Sequence, residues 1–269
     1  MDRSPSRSTR LPFRSGRFTA LPLQAAALLL ALLSVPAVPP AASGGEWRVS
    51  PIRLDLGRAA KTGVLKVMND GAEKLQFQVA AYEWTQDAEG KDRYEETGDL
   101  VFYPKMMTLD GKEERILRAG IRVPAAGREK AYRLFIEETP GPRKQAGANV
   151  AIAVRFGVPI FVKPLKPDPT AEIGPVAMDN GTVSARVRNA GNAHFVIRTV
   201  VVAARNGRGE TVFSREINGW YLLSGASRSY AATIPPDVCP DVAAVDVEVR
   251  TDKSTVAGRL SANRSMCPP

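Results

Sequence analysis

The chain has 269 residues, enough for one or two domains, and carries 37 Lys and Arg against 28 Asp and Glu, a net charge of +9. A single histidine excludes a metal site built from clustered imidazoles, and two cysteines without C-x-x-C spacing argue against metal or redox chemistry. The cations are scattered with no aromatics interleaved among them, so nucleic acid is not an expected partner and a solvated basic surface is.

The N-terminus opens with Arg3, Arg7, Arg10, Arg14 and Arg17, continues through an apolar run from Leu21 to Val35, and ends in small residues and prolines, with Ala41 and Ser43 in an A-x-A-like spacing. That order predicts a cleaved secretory signal peptide over residues 1–43. The apolar run is short of the roughly 20 residues that a membrane-spanning helix needs. Setting aside residues 1–43, which hold five Arg and one Asp, lowers the net charge to +5. In an exported protein two cysteines default to one disulfide, here Cys239–Cys267, worth about 3–4 kcal/mol on the chain-entropy view.

After the leader, apolar and polar residues alternate in short runs divided by turn residues. Val64–Met68 leads into the turn Asn69-Asp70-Gly71, and Leu75–Val79 alternates with period two and runs on towards Trp84. Gln86 to Gly98 is charged and reads as a loop. Strands are expected again at Leu100–Tyr103, Arg115–Leu117 and Ala131–Glu137, and no long amphipathic helix is found. Short strands at this spacing predict a β-sandwich.

Val150 to Val162 is the longest expected strand. Val150, Ile152, Val154, Phe156, Val158 and Ile160 fall on one face of it, because side chains alternate across a strand. Pro159 has no N–H to give a ladder and belongs at an edge or a bulge. A long apolar edge is something proteins normally blunt, and its plain alternative is the last core strand of the first sandwich. The prolines of Lys163–Pro169 then predict an extended connector. Beyond it the β pattern returns at Val183–Val187, Val196–Ala203, Thr211–Phe213, Tyr230–Ile234 and Val245–Val249, with turns at Asn189–Asn192 and Asn206-Gly207. The expected fold is all-β: two immunoglobulin-like sandwiches over residues 46–163 and 170–269, joined by a Pro-rich hinge at 164–169.

Four local patterns bear a resemblance that spans essentially the whole chain after the leader. Val49-Ser50-Pro51-Ile52-Arg53-Leu54 is similar to the first strand, with its cleft arginine, of the periplasmic pilus (fimbrial) assembly chaperones. Glu138-Thr139-Pro140 resembles the end of that family's penultimate strand in the first domain, and Phe156 to Pro164 resembles the strand after it with its proline exit. Asn189–His194 and Gly219–Gly225 resemble the archaic, spore-coat-U-associated branch.

The resemblance implies a non-enzymatic periplasmic protein of Gram-negative cells. Its partners would be pilus subunits whose immunoglobulin-like fold lacks a strand, and an outer-membrane usher that receives the complex. The chaperone lends its own strand by β-augmentation. Val150, Ile152, Val154, Phe156 and Val158 would fill the client's groove, each contributing on the order of 1.5–3 kcal/mol before ordering costs. Self-association of the free form is a corollary. Arg53 would bind the client's C-terminal carboxylate, a role suited to a planar guanidinium that stays charged. The better-known branch adds a lysine where this chain has Pro159, which leaves Lys163 and Arg155 as replacements. The connection Pro140–Asn149 is short and lacks the cysteine pair found beside some longer loops.

Two other functions compete. A generic secreted immunoglobulin-like binding or adhesion module would put its affinity in loops and have no use for six aligned apolar residues beside a hinge. A carbohydrate- or ester-processing sandwich would need a catalytic set. His194 lies where a surface or structural role is expected, no G-x-S-x-G, Walker A or G-x-G-x-x-G pattern occurs, and the pairs Glu95-Glu96, Glu113-Glu114 and Glu137-Glu138 read as charged loops and strand ends. No catalytic residue, metal or cofactor is expected.

Overall fold

The alternation that begins at Leu75 sets Leu75, Phe77, Val79 and Ala81 on one buried side of a strand and leaves Gln76 and Gln78 outside. Sequences of this kind need a second sheet to cover that side, and the computed structural model, which describes residues 46–139 and 153–269, supplies one. The leader, Val150 and Ile152 lie outside the described residues.

The first half contains β1 (Trp47–Ser50), β2 (Leu54–Leu56), β3 (Thr62–Asn69), β4 (Leu75–Gln86), β5 (Asp92–Glu96), β6 (Leu100–Tyr103), β7 (Met106–Leu109), β8 (Glu114–Ile121), β9 (Lys130–Glu138) and β10 (Arg155–Val162). One sheet has the order β1-β3-β8-β6; the other runs β2-β10-β9-β4-β5, with β7 on β4. Leu65, Val67 and Leu117 from the first meet Phe77, Leu134, Ile136 and Val158 from the second in one core. The expected first strand is divided between the sheets: β1 pairs antiparallel with β3, and β2 pairs parallel with β10. Arg53 therefore stands in the crossing between strands, immediately before β2, and not within a strand.

The second half contains β11 (Ala171–Ile173), β12 (Ala177–Asp179), β13 (Thr182–Asn189), β14 (Phe195–Asn206), β15 (Thr211–Asn218), β16 (Tyr221–Leu222), β17 (Ser227–Thr233), β18 (Val242–Thr251) and β19 (Thr255–Ser261). β13 pairs with β11, β12 and β17, while β15-β14-β18-β19 forms the facing sheet with β16 on β14. Val187, Phe195, Val200 and Val247 lie in a second, separate core. Asn180 and Gly181, at φ 45° and 75°, make the two-residue turn between β12 and β13, a backbone form that Asn-Gly favours. The Cys239–Cys267 disulfide closes the C-terminal end, with its Cα atoms 5.8 Å apart.

The same corner is built in both sandwiches. Asn69 is buried, donates to the carbonyls of Glu73 and Asp110, and accepts from the Gly71 N–H. Asn189 does likewise with Ala193, Leu222 and Gly191. Each Asn-x-Gly thus satisfies backbone groups that a buried turn would otherwise strand, a cost of about 1–3 kcal/mol per group.

The charged stretch Gln86–Gly98 is not wholly loop. β5 forms there as an outer strand that pairs only with β4, so both its faces meet solvent and no apolar alternation marks it. Among the described residues no helix is long and apolar enough to cross a membrane, and no group of three or more His, Cys, Asp or Glu is placed to hold a metal ion.

Candidate functional site: a bare strand edge and a basic cavity

β10 pairs antiparallel with β9 along its whole length, from Arg155 opposite Glu137 to Val162 opposite Lys130. On its other side β2 joins only at Ile160. From Arg155 to Pro159 no strand pairs with that second edge among the described residues, and the Gly157 carbonyl accepts instead from the Arg133 side chain. Pro159, with no N–H, sits at the end of the unpaired segment, next to the point where parallel pairing begins.

The apolar row along β10 changes character along the strand. Val158, Ile160 and Val162 are fully buried in the first core, Phe156 is half-buried against it, and Val154 is 38% exposed. The expected groove-binding residues therefore differ in how much surface they keep. Val158 has no exposed surface to offer, because the facing sheet already covers it. Val154 and Phe156 are the described members of the set that retain open surface. Period two could not separate the groups, since both lie on the same face.

The expected anchors separate as well. Arg53 reaches Asp55 at 3.1 Å, and Lys163 reaches the other oxygen of the same carboxylate at 3.2 Å. The parallel register Val162 opposite Leu56 brings Lys163 beside the β2 strand that carries Asp55. These three residues line a cavity of about 300 Å³ with Glu129, His194 and Lys253. Arg155 does not join them. It pairs with Glu137 at 3.4 Å and stacks over Phe135 at 3.9 Å, eight residues from Lys163 or about 26 Å along the strand.

The walls of the cavity come from both sandwiches, which further contacts join around it. His194 stacks on Phe161 with ring centroids 3.5 Å apart, and its Nδ1 lies 2.7 Å from Glu129 Oε1. The His194 backbone N–H donates to the same oxygen. Gln86 accepts from the Leu223 N–H and donates to the Tyr221 carbonyl, and Asn192 donates to the carbonyls of Gly127 and Lys166. Trp84, Ala131, Phe161 and Leu223 form an apolar cluster across the junction. Over Trp84, at 3.9 Å, lies the buried guanidinium of Arg133, whose Nη1 donates to the Gly157 carbonyl of β10. Burial lowers the Arg133 pKa from its ordinary value, yet a guanidinium remains charged at neutral pH.

Sequence reasoning missed Asp55, the shared counterion, and Glu129, the histidine's partner. Asp55 was within reach: it lies two residues from Arg53 on the same period-two face. Nothing local marks Glu129, whose role comes from a contact 65 residues away.

The chain is thus two sandwiches with separate cores, antiparallel but for the β2–β10 pairing, with an unpaired edge on the last strand of the first and a cavity where they meet. Residues 47–167 match the family described as pili and flagellar-assembly chaperone, PapD N-terminal domain. The match covers the first sandwich and most of the hinge, and ties that half of the chain to the pilus-assembly chaperones, a family that is not enzymatic. No curated protein matches it in sequence. Among solved structures, it is similar to a CsuC–CsuE chaperone–tip adhesion subunit pre-assembly complex from the archaic chaperone-usher Csu pili of Acinetobacter baumannii, at TM-score 0.56 and 16% identity over 79% of this chain and 97% of that one. It is also similar to the chaperone YadV, at TM-score 0.54 and 13% identity over 80% and 99% of the two chains. The class 5 fimbriae chaperone CfaA gives 0.53 and 13% over 81% and 100%.

Proposed function

We propose that the protein is a periplasmic chaperone that holds incomplete immunoglobulin-like pilus subunits by lending them the leading part of β10, and passes them to an outer-membrane usher. The observation that carries this reading is the unpaired edge at Arg155–Pro159, beside which a core row runs outward into solvent at Val154. A client strand pairing there gains main-chain hydrogen bonds, and the row, continued through Ile152 and Val150, enters its open groove. Arg53 and Lys163 take the client's C-terminal carboxylate, displacing Asp55, which keeps the two cations paired in the meantime. The working units are residues 46–163 and 170–269, with 164–169 as the hinge. An apolar edge of this kind also favours self-association of the free protein until a client arrives.

Co-expression with a subunit lacking its own last strand tests the reading. Val154→Asp and Ile152→Asp, each placing a charge in the row, abolish recovery of that subunit while the chaperone stays folded. Unchanged recovery in both variants rejects strand lending.

A further inference from the structure

A second cavity opens at the hinge end of the first sandwich, of about 370 Å³, within the roughly 300–1,000 Å³ range of ordinary ligand pockets. Its walls are three stretches of chain: Gly57–Lys61, Ile121–Ala125 and Lys163–Leu165. Backbone hydrogen bonds fix them, from Gly57 N–H to the Ala60 carbonyl, Ile121 N–H to Lys61 and Lys163 N–H to Leu56. Ile121 and Ala125 pack on the core behind them, Pro164 is buried, and Leu165 stands 69% exposed at the rim.

Charge sets this cavity apart. Arg58, Lys61, Arg122 and Lys163 all line it, and no acidic residue does. Lys163 pairs with Asp55 on its other side, while Arg58, Lys61 and Arg122 form no ion pair among the described residues. Three unpaired cations, with the Asp55-paired Lys163 beside them, surround an apolar floor and give a positive potential that selects an anionic ligand with an apolar part. There is no aromatic ring in the lining on which a base could stack, which argues against nucleic acid. No amphipathic helix borders it to lie in a lipid surface.

We propose that this cavity binds a short acidic peptide segment of a protein partner, one large apolar side chain entering between Ile121 and Leu165 while flanking carboxylates meet Arg58, Lys61 and Arg122. It is a different site from the Arg53 cavity, with which it shares only Lys163, and it is independent of strand lending.

The probe is acetyl-Glu-Asp-Phe-Asp-Glu-amide, whose capped end offers nothing to a C-terminal carboxylate anchor, titrated into the purified protein and followed through backbone amide shifts. Binding is expected to saturate, to weaken as salt rises, and to move the amides of 57–61 and 121–125. The double variant Lys61→Glu, Arg122→Glu weakens it about tenfold or more, reading the loss of several charge pairs together. A peptide with Gly in place of Phe binds at least about fivefold more weakly, and Arg53→Ala leaves binding within about twofold. If the double variant is found unfolded, Lys61→Gln and Arg122→Gln carry the same comparison. Equal binding by these variants or by the Gly peptide overturns the proposal, as does displacement of the probe by anionic phospholipid vesicles.

Discussion

Replacing Arg53 by alanine separates the cavity's role in folding from its role in binding. Arg53 and Asp55 are 41% and 28% exposed, and Lys163 is 45% exposed, so each ion pair is of the solvent-screened kind worth about 0.2–1 kcal/mol to the fold. For a protein of this size that corresponds to a fall in Tm of at most about 4 °C. A hydrogen bond from a guanidinium to a carboxylate taken out of water is worth about 1.5–3 kcal/mol, so loss of the anchor should weaken client binding about ten- to a hundredfold. Lys163→Ala should behave alike. Because both cations would act on one carboxylate, the double variant should lose less than the two single losses combined. Asp55→Asn, which removes the competing anion, should tighten binding or leave it unchanged. The assay pairs thermal unfolding of each variant with its affinity for a subunit lacking the final strand. Binding within about twofold of the parent in Arg53→Ala, with Tm intact, would refute the anchoring argument.

Val158→Ala, by opening space in a filled core, is expected to cost about 2 kcal/mol in denaturant unfolding, whereas Val154→Ala at the exposed end of the same row should stay within about 0.5 kcal/mol. Cys239→Ala with Cys267→Ala should lower stability by about 3.5 kcal/mol, since the disulfide spans 28 positions of chain; an unchanged midpoint would show that the bond does not constrain the unfolded state. Asp99 accepts hydrogen bonds from Lys130 Nζ and Tyr132 Oη, first the lysine and then the tyrosine holding its carboxyl below the usual value. A depressed folded-state pKa adds stability above the unfolded value near 4, which is lost as pH falls through the folded value. Asp99→Asn should therefore cost about 1 kcal/mol at pH 7 and progressively less towards pH 3, measured by chemical unfolding at both.

The strands that bury one face were legible, β4 and β13 most plainly, because their alternation answers to a core. β5 was not, being polar on both faces, and β11, β12 and β16 are two or three residues long and exist through their partners. The disulfide followed from there being two cysteines and no others. Arg53 could be named from a local pattern, but its proximity to Lys163 depends on the parallel pairing of β2 with β10, segments about a hundred residues apart, which no periodicity encodes. For the same reason the division of the β10 row between core and solvent at Phe156 was out of reach: the pattern gives the face, and only the facing sheet determines how far it is covered.

If a client's end seats between Arg53 and Lys163 as proposed, the fixed distance from them to the unpaired edge would act as a ruler. A chain whose end is seated in the cavity meets the Phe156 row seven residues from Lys163, about 23 Å along the strand. Lengthening such a chain by one residue turns every one of its side chains to the wrong face, whereas lengthening it by two restores the alternation at a shifted position. Fit along this edge would then depend on whether the added length is odd or even before it depended on hydrophobicity.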